Sequence, residues 1–250
     1  MNATARSGPQ RTLEDLFAAY LASTAADPGA SGPGSKKGPP RFRPDAEQSI
    51  DLLRAALNGY GYQYLNARDG RHYQRVYDDG DEGALCRLFG VTVLLAYLDE
   101  YFDDFLIRKV LFGVEDLEAT IAETGRFIDW LANEAHLTPS AAARASRRVA
   151  EAADEIPAAE RLSHALHLEA KRVPVLSGAL RDAETVEDYL IVRRVSPGKL
   201  WFWDLTGALE VPAEVSALAR PGWSINLVLA KVNGRWHILE VGNVYPRVIV

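Results

Sequence analysis

The sequence predicts an α+β chain: an N-terminal all-α helical domain followed by a small antiparallel β-barrel. Three observations carry this. Apolar residues recur at helical spacing from Leu13 to about Ala170. After Pro174 the pattern changes to β-branched and aromatic residues alternating with polar ones. Near the end, Asn233-Gly234 separates two apolar runs, the strongest short signal for a type I′ hairpin turn, because both turn positions need positive φ.

Each element follows in order. TLEDLFAAYLAS, residues 12–23, opens with Thr12 three residues before Asp15 and carries Leu13, Leu16, Phe17, Tyr20 and Leu21 on one helical face. Residues 26–44, rich in Gly, Pro, Ser and Lys, bury too little to offset the entropy of ordering and read as a linker, so 1–44 is a short helix plus a flexible segment. The helical domain is expected over 45–173. Its first helix begins at Asp45 with Gln48 as capping partner and ends at Asn58-Gly59. A tyrosine-rich stretch, Tyr60 to Tyr77, contains Arg68, Arg71 and Arg75.

VTVLLAYLDEYFDDFLIRKVLFG then predicts one long buried helix with a wide apolar stripe. Leu117, Ile121, Thr124, Ile128 and Leu131 share a face of the next helix. Thr138-Pro139 starts another helix, and Pro157 is expected to restart a last one running to about Ala170. The barrel is expected over 186–250: YLIVRRV, a Ser196-Pro197-Gly198 turn, KLWFWDL, a short helix in VPAEVSAL (211–218), and the hairpin. In that hairpin Val232 should face Arg235, Lys231 Trp236, Ala230 His237, Leu229 Ile238 and Val228 Leu239. Both faces then carry apolar residues, which closure into a barrel would bury. On that account Trp223 and Trp236 are packing residues.

Composition narrows the function. With 48% hydrophobic residues over 250 positions the chain can bury a sizeable core. A single cysteine, Cys86, excludes an internal disulfide and a multi-cysteine zinc site, and suggests a reducing, cytoplasmic location. No apolar stretch approaches a membrane span. Net charge is +3 over 1–44, −10 over 45–185 and +1 over 186–250, so the middle is a poor general surface for phosphate backbones. No phosphate loop, nucleophile elbow or metalloprotease histidine pair occurs. No cofactor is expected.

Four clusters have candidate chemistry. Arg68, Arg71 and Arg75 among tyrosines suit stacking on bases or a peptide, though the tyrosines equally suit covering a helical core. Asp99, Glu100, Asp103 and Asp104 form two pairs four residues apart, but without the Glu-x-x-His of bundle metal sites they read as a solvated face partly paired with Arg108. Glu160, His164 and His167 are weak metal candidates at spacings of four and three. Arg144, Arg147 and Arg148 are expected to pair with Glu151, Asp154 and Glu155 a turn later.

KLWFWDL, VSALARPGWSINLVL and WHILEV resemble an oligonucleotide/oligosaccharide-binding (OB) barrel of the S1 or TRAM kind over about the last 60 residues, and an SH3-like barrel shares much of the pattern. An OB resemblance implies that Trp201 and Trp203, alternating onto one face, stack on single-stranded nucleic acid with Arg193, Arg194 and Lys199 beside them. Either that face or the Leu200–Phe202 face must be the barrel core. LNGYGYQYL, YFDDFLIRKVLFG and TGRFIDWLANEAHL look like the helical part of a prokaryotic family in which such a domain precedes a barrel ending in a GNVYP turn; that resemblance implies no activity. The helical part also faintly resembles the SAM-like core-binding domain of tyrosine recombinases, without their catalytic Arg, His and Tyr set.

The expectation is therefore a non-enzymatic binding protein whose barrel contacts nucleic acid, single-stranded by preference. A protein-interaction adaptor without nucleic acid is the first alternative, using the barrel or the 60–77 segment. A metal-dependent enzyme through Glu160, His164 and His167 is the second. No membrane partner is expected.

Overall fold

In the computed structural model of the chain, residues 11–26, 45–110, 113–171 and 183–247 are described. Most of the expected linker lies outside them. The chain divides into two compact units: residues up to Tyr101 with Ala119–Ala150, and Phe102–Glu118 with Glu151 onward. The helices come first and a five-stranded antiparallel sheet comes last, giving the α+β class. Among the described residues no helix is long and apolar enough to cross a membrane.

In the first unit, α1 (Leu13–Ala26) is capped as its sequence predicts: the Asp15 amide donates to Thr12 Oγ1 at 3.2 Å and the Thr12 amide to the Asp15 carboxylate at 3.3 Å. Its Leu13, Leu16, Phe17 and Tyr20 are buried, with the Phe17 ring 5.2 Å from Phe127 of α7 (Val114–Asn133). Helix α2 (Ala46–Tyr60) has the expected Asp45–Gln48 capping box, with bonds of 2.9 and 3.2 Å. It does not stop at Asn58-Gly59 but runs on into a 3₁₀ turn, Gly61–Tyr64. The Asn58 side chain accepts instead from the Cys86 amide at 3.0 Å, at the buried helix α4 (Ala84–Leu88), so it serves a neighbour and not a cap. Burial also pushes the Cys86 thiol up to about 12, as an inert apolar residue requires.

Two helices differ from their periodicity. The expected single helix after Gly90 is α5 (Val91–Glu100), a π-helical turn at Tyr101–Phe105, and α6 (Leu106–Arg108). The widened turn keeps Tyr101, Phe102 and Phe105 buried although Asp103 and Asp104 stand between them. Conversely, Pro157 starts no new helix: α8 runs unbroken from Pro139 to Ala170. An interior proline costs about 3 kcal/mol. Here Ile156, Ala159, Leu162 and Leu166 beside it are all buried, which offsets that cost.

In the second unit the sheet has the order β3-β2-β1-β4-β5, with β1 Glu184–Ser196, β2 Lys199–Phe202, β3 Ala208–Glu210, β4 Ser224–Val232 and β5 Arg235–Tyr245. The short helix α9 (Ala213–Ser216) separates β3 from β4, inside the stretch where sequence puts it. The long β1 pairs with β4 through Glu184–Ile191 and with β2 through Val192–Ser196. No ladder joins β3 to β5, so the sheet is open by hydrogen bonding where the sequence predicts closure. The two strands nevertheless lie side by side, and the Trp236 indole donates to the Thr206 carbonyl at 2.9 Å. One face buries Leu190, Val192, Leu200, Phe202, Trp223, Leu227 and Trp236 against Ala159, Leu162 and Leu166 of α8. Trp223 and Trp236 are packing residues, as expected.

The hairpin turn is type I′ in its dihedral signs: φ is +52° at Asn233 and +78° at Gly234. The first four cross-strand pairs are those the turn predicts; the fifth slips, because Leu239 bulges and Val228 faces Glu240. Gly242 to Tyr245 extend β5 instead of forming a terminal turn. Valine at Asn233 or Gly234 is expected to destabilise the fold by about 1–2 kcal/mol, since a branched L-residue resists positive φ. Thermal melting of the two variants checks it; unchanged midpoints would count against the turn.

Candidate functional site

The alternation on β2 resolves which aromatic face is core. Leu200 and Phe202 are buried, while Trp201 is half-buried and Trp203 is 64% exposed, so the tryptophans occupy the face turned away from the core. Lys199 shares that face two residues before Trp201 and is exposed.

β1 supplies the cations through an irregularity. Its register runs Val192 opposite Phe202 and then Arg194 opposite Trp201, which leaves Arg193 as the bulged residue. In a regular strand Arg193 and Arg194 would point to opposite faces, one of them into the core. The bulge leaves both exposed. Arg194 lies over Trp201 with its guanidinium carbon 3.9 Å from the ring centroid, and Arg193 over Trp203 at 5.3 Å. Among the described residues no carboxylate forms an ion pair with Arg193, Arg194 or Lys199. All five residues singled out on this segment therefore share one surface. Sequence reasoning did not include Tyr189, which is also exposed, on β1, with its ring 5.9 Å from Tyr245; its alternation with Leu190 was the available signal.

The other clusters are organised differently. The acidic residues of LDEYFDDF are engaged: Asp99 accepts from Arg148 at 2.8 Å, Asp104 pairs with Arg108 at 3.2 Å, Asp103 lies 3.9 Å from Arg247, and Glu100 accepts from the Tyr64 hydroxyl at 3.5 Å. Arg148 thus engages an acid 49 residues earlier in the chain. Glu151 and Glu155 instead engage Arg247, and Asp154 takes Arg220 at 2.5 and 3.2 Å. Those acids face β-region partners that no local spacing reveals.

Glu160, His164 and His167 do not assemble into a site. Glu160 lines a small cavity of about 20 Å³ with Asn243, and burial raises its carboxyl above the usual range, while His164 and His167 are exposed. Among the described residues no three His, Cys, Asp or Glu side chains gather as a metal site.

In the tyrosine-rich segment the two residue types separate. Tyr62 stacks on Tyr73 at 5.8 Å and Tyr73 meets Tyr77 at 5.5 Å, whereas Arg68, Arg71 and Arg75 of α3 (Ala67–Asp78) line a shallow open groove with Gln74. Tyr62, Tyr73 and Tyr77 pack on one another, whereas on the sheet each tryptophan carries an arginine. Compared with known proteins, the chain matches no family model, no curated protein and no solved structure.

Proposed function

We propose that this chain is a non-enzymatic binding protein whose sheet holds single-stranded nucleic acid on the outward face of β1 and β2. The observation that carries the reading is the shared exposure of Trp203, Arg193, Arg194 and Lys199 around a half-buried Trp201. Bases stack on aromatic faces regardless of sequence, and nearby cations neutralise the backbone, so this pairing of groups suits a single strand. Trp and Arg also suit a protein interface, where Lys is depleted; Lys199 beside two arginines, all three exposed, gives the face the net positive charge that a phosphate backbone favours.

An OB-like architecture belongs to the same proposal. In OB barrels, which are partly open, the surface around strands 2 and 3 and the loops 1–2 and 4–5 take oligonucleotides. The corresponding places here are β2 with its tryptophans, the Pro197-Gly198 turn and the Asn233-Gly234 turn. The strand order, the helix between β3 and β4, and the approach of β3 to β5 support it over an SH3-like arrangement. A cytoplasmic location is also proposed, on the strength of the single cysteine.

Fluorescence anisotropy of labelled single-stranded RNA and DNA at two salt concentrations tests the reading. Binding that weakens as salt rises is the expected result. Absence of binding at low salt sinks it. The exposure of Tyr62, Tyr64 and Tyr77 favours the adaptor as a second reading, one in which a protein partner co-purifies and nucleic acid does not.

A further inference from the structure

The two tryptophans are not equivalent, and the difference divides the work of the site. Arg194 is the register partner of Trp201 and its guanidinium carbon stands 3.9 Å from the ring centroid, so that indole face is already covered. Trp203 is 64% exposed, and its arginine neighbour is farther off, at 5.3 Å. The Cα atoms of the two tryptophans are two positions apart, about 7 Å in extended chain. A base arriving at Trp201 must first displace Arg194; one arriving at Trp203 meets an open ring.

A guanidinium seated over an aromatic ring leaves N–H donors at its edge for other partners. Held in that way, it loses less freedom when it meets a phosphate than a side chain free in solvent. The bulge at Arg193 completes the arrangement, because it lets Arg194 stay opposite Trp201 while a second arginine reaches the same face.

Resting on the nucleic-acid reading above, we infer that Trp203 is the base-stacking platform of the site, whereas Trp201 is a positioning residue that holds Arg194 for a backbone phosphate. Trp201 then acts on the ligand only through Arg194. Trp203 acts on it directly.

The test is a set of salt titrations with a fluorescein-labelled oligodeoxythymidine, using the full chain and its variants. Arg194→Ala and Trp201→Ala should weaken binding by the same factor, and the double variant should bind no more weakly than Arg194→Ala alone. Both single variants should lower the slope of log affinity against log salt by about 0.7, the loss of one single-strand phosphate contact. Trp203→Ala should weaken binding by roughly 5- to 150-fold with the slope unchanged, and multiply with Arg194→Ala. Trp201→Phe keeps a ring beneath the guanidinium and should restore both affinity and slope. It also separates loss of the platform from loss of the fold. A further loss from Trp201→Ala in the Arg194→Ala background overturns the assignment, as does an unchanged slope in Trp201→Ala. If the unaltered chain does not bind the probe at low salt, the nucleic-acid reading itself fails, a result that no pattern among the variants imitates.

Discussion

Phe202→Ala is expected to cost about 3–5 kcal/mol of folding stability. Trp203→Ala, one residue on, should cost about 1 kcal/mol or less while weakening single-strand binding by about 1–3 kcal/mol. The contrast follows from the pleat. Phe202 is 2% exposed and packs in the cluster with Leu200, Trp223 and Leu227, so truncation leaves a cavity lined by side chains that cannot all relax into it. Trp203 contributes to the folded state chiefly through Arg193 above its ring. Chemical denaturation and anisotropy on the same two variants check both halves. Comparable stability losses at the two positions would mean that the outward face is a buried one, and the site would lose its basis.

The same strand shows what was legible in the sequence and what was not. Alternation in KLWFWDL puts Trp201 with Trp203 and Leu200 with Phe202, but both pairs are apolar, so the pattern does not say which pair is core. That choice depends on what covers the sheet. Here Leu200 and Phe202 join a buried cluster that also takes in Ala159, Leu162 and Leu166 of α8, more than 30 residues distant in sequence. The bulge was half legible: two adjacent arginines interrupt the alternation of YLIVRRV, a violation that a regular half-buried strand does not tolerate.

Local chemistry was the most readable. Asp45 with Gln48 and Asn233 with Gly234 act within four residues, and both adopt the expected geometry. Signals that compete with burial were misread. Pro157 is a helix breaker by propensity, yet it sits inside a helix whose neighbouring residues are buried on the sheet core. Asn58-Gly59 is a good helix end by propensity, yet Asn58 is occupied by the Cys86 amide. The π-helical turn at Tyr101–Phe105 accompanies buried pairs four residues apart, Tyr97-Leu98, Tyr101-Phe102 and Phe105-Leu106, a spacing close enough to one α-helical turn to read as a continuous helix.

The second large effect lies in the helical unit, where Glu123 is buried to 4% exposure. The Tyr20 hydroxyl donates to its carboxylate at 2.5 Å and Arg126 Nε donates at 2.9 Å. Burial first, and then Glu123, push the Tyr20 hydroxyl well above its ordinary range, so it remains a protonated donor at any physiological pH. Tyr20→Phe removes that donor from a buried charge and should cost about 1.5–3 kcal/mol. Glu123→Leu leaves the Tyr20 hydroxyl buried without its acceptor and should cost about 1–3 kcal/mol. The double variant replaces both polar groups by apolar ones, so its loss should fall well below the sum of the two. Denaturation of the three variants measures the coupling directly. Additive losses would mean that Tyr20 and Glu123 contribute through packing alone; a strongly non-additive cycle would show that their hydrogen bond couples α1 to α7 beyond the ring packing of Phe17 and Tyr20 on Phe127.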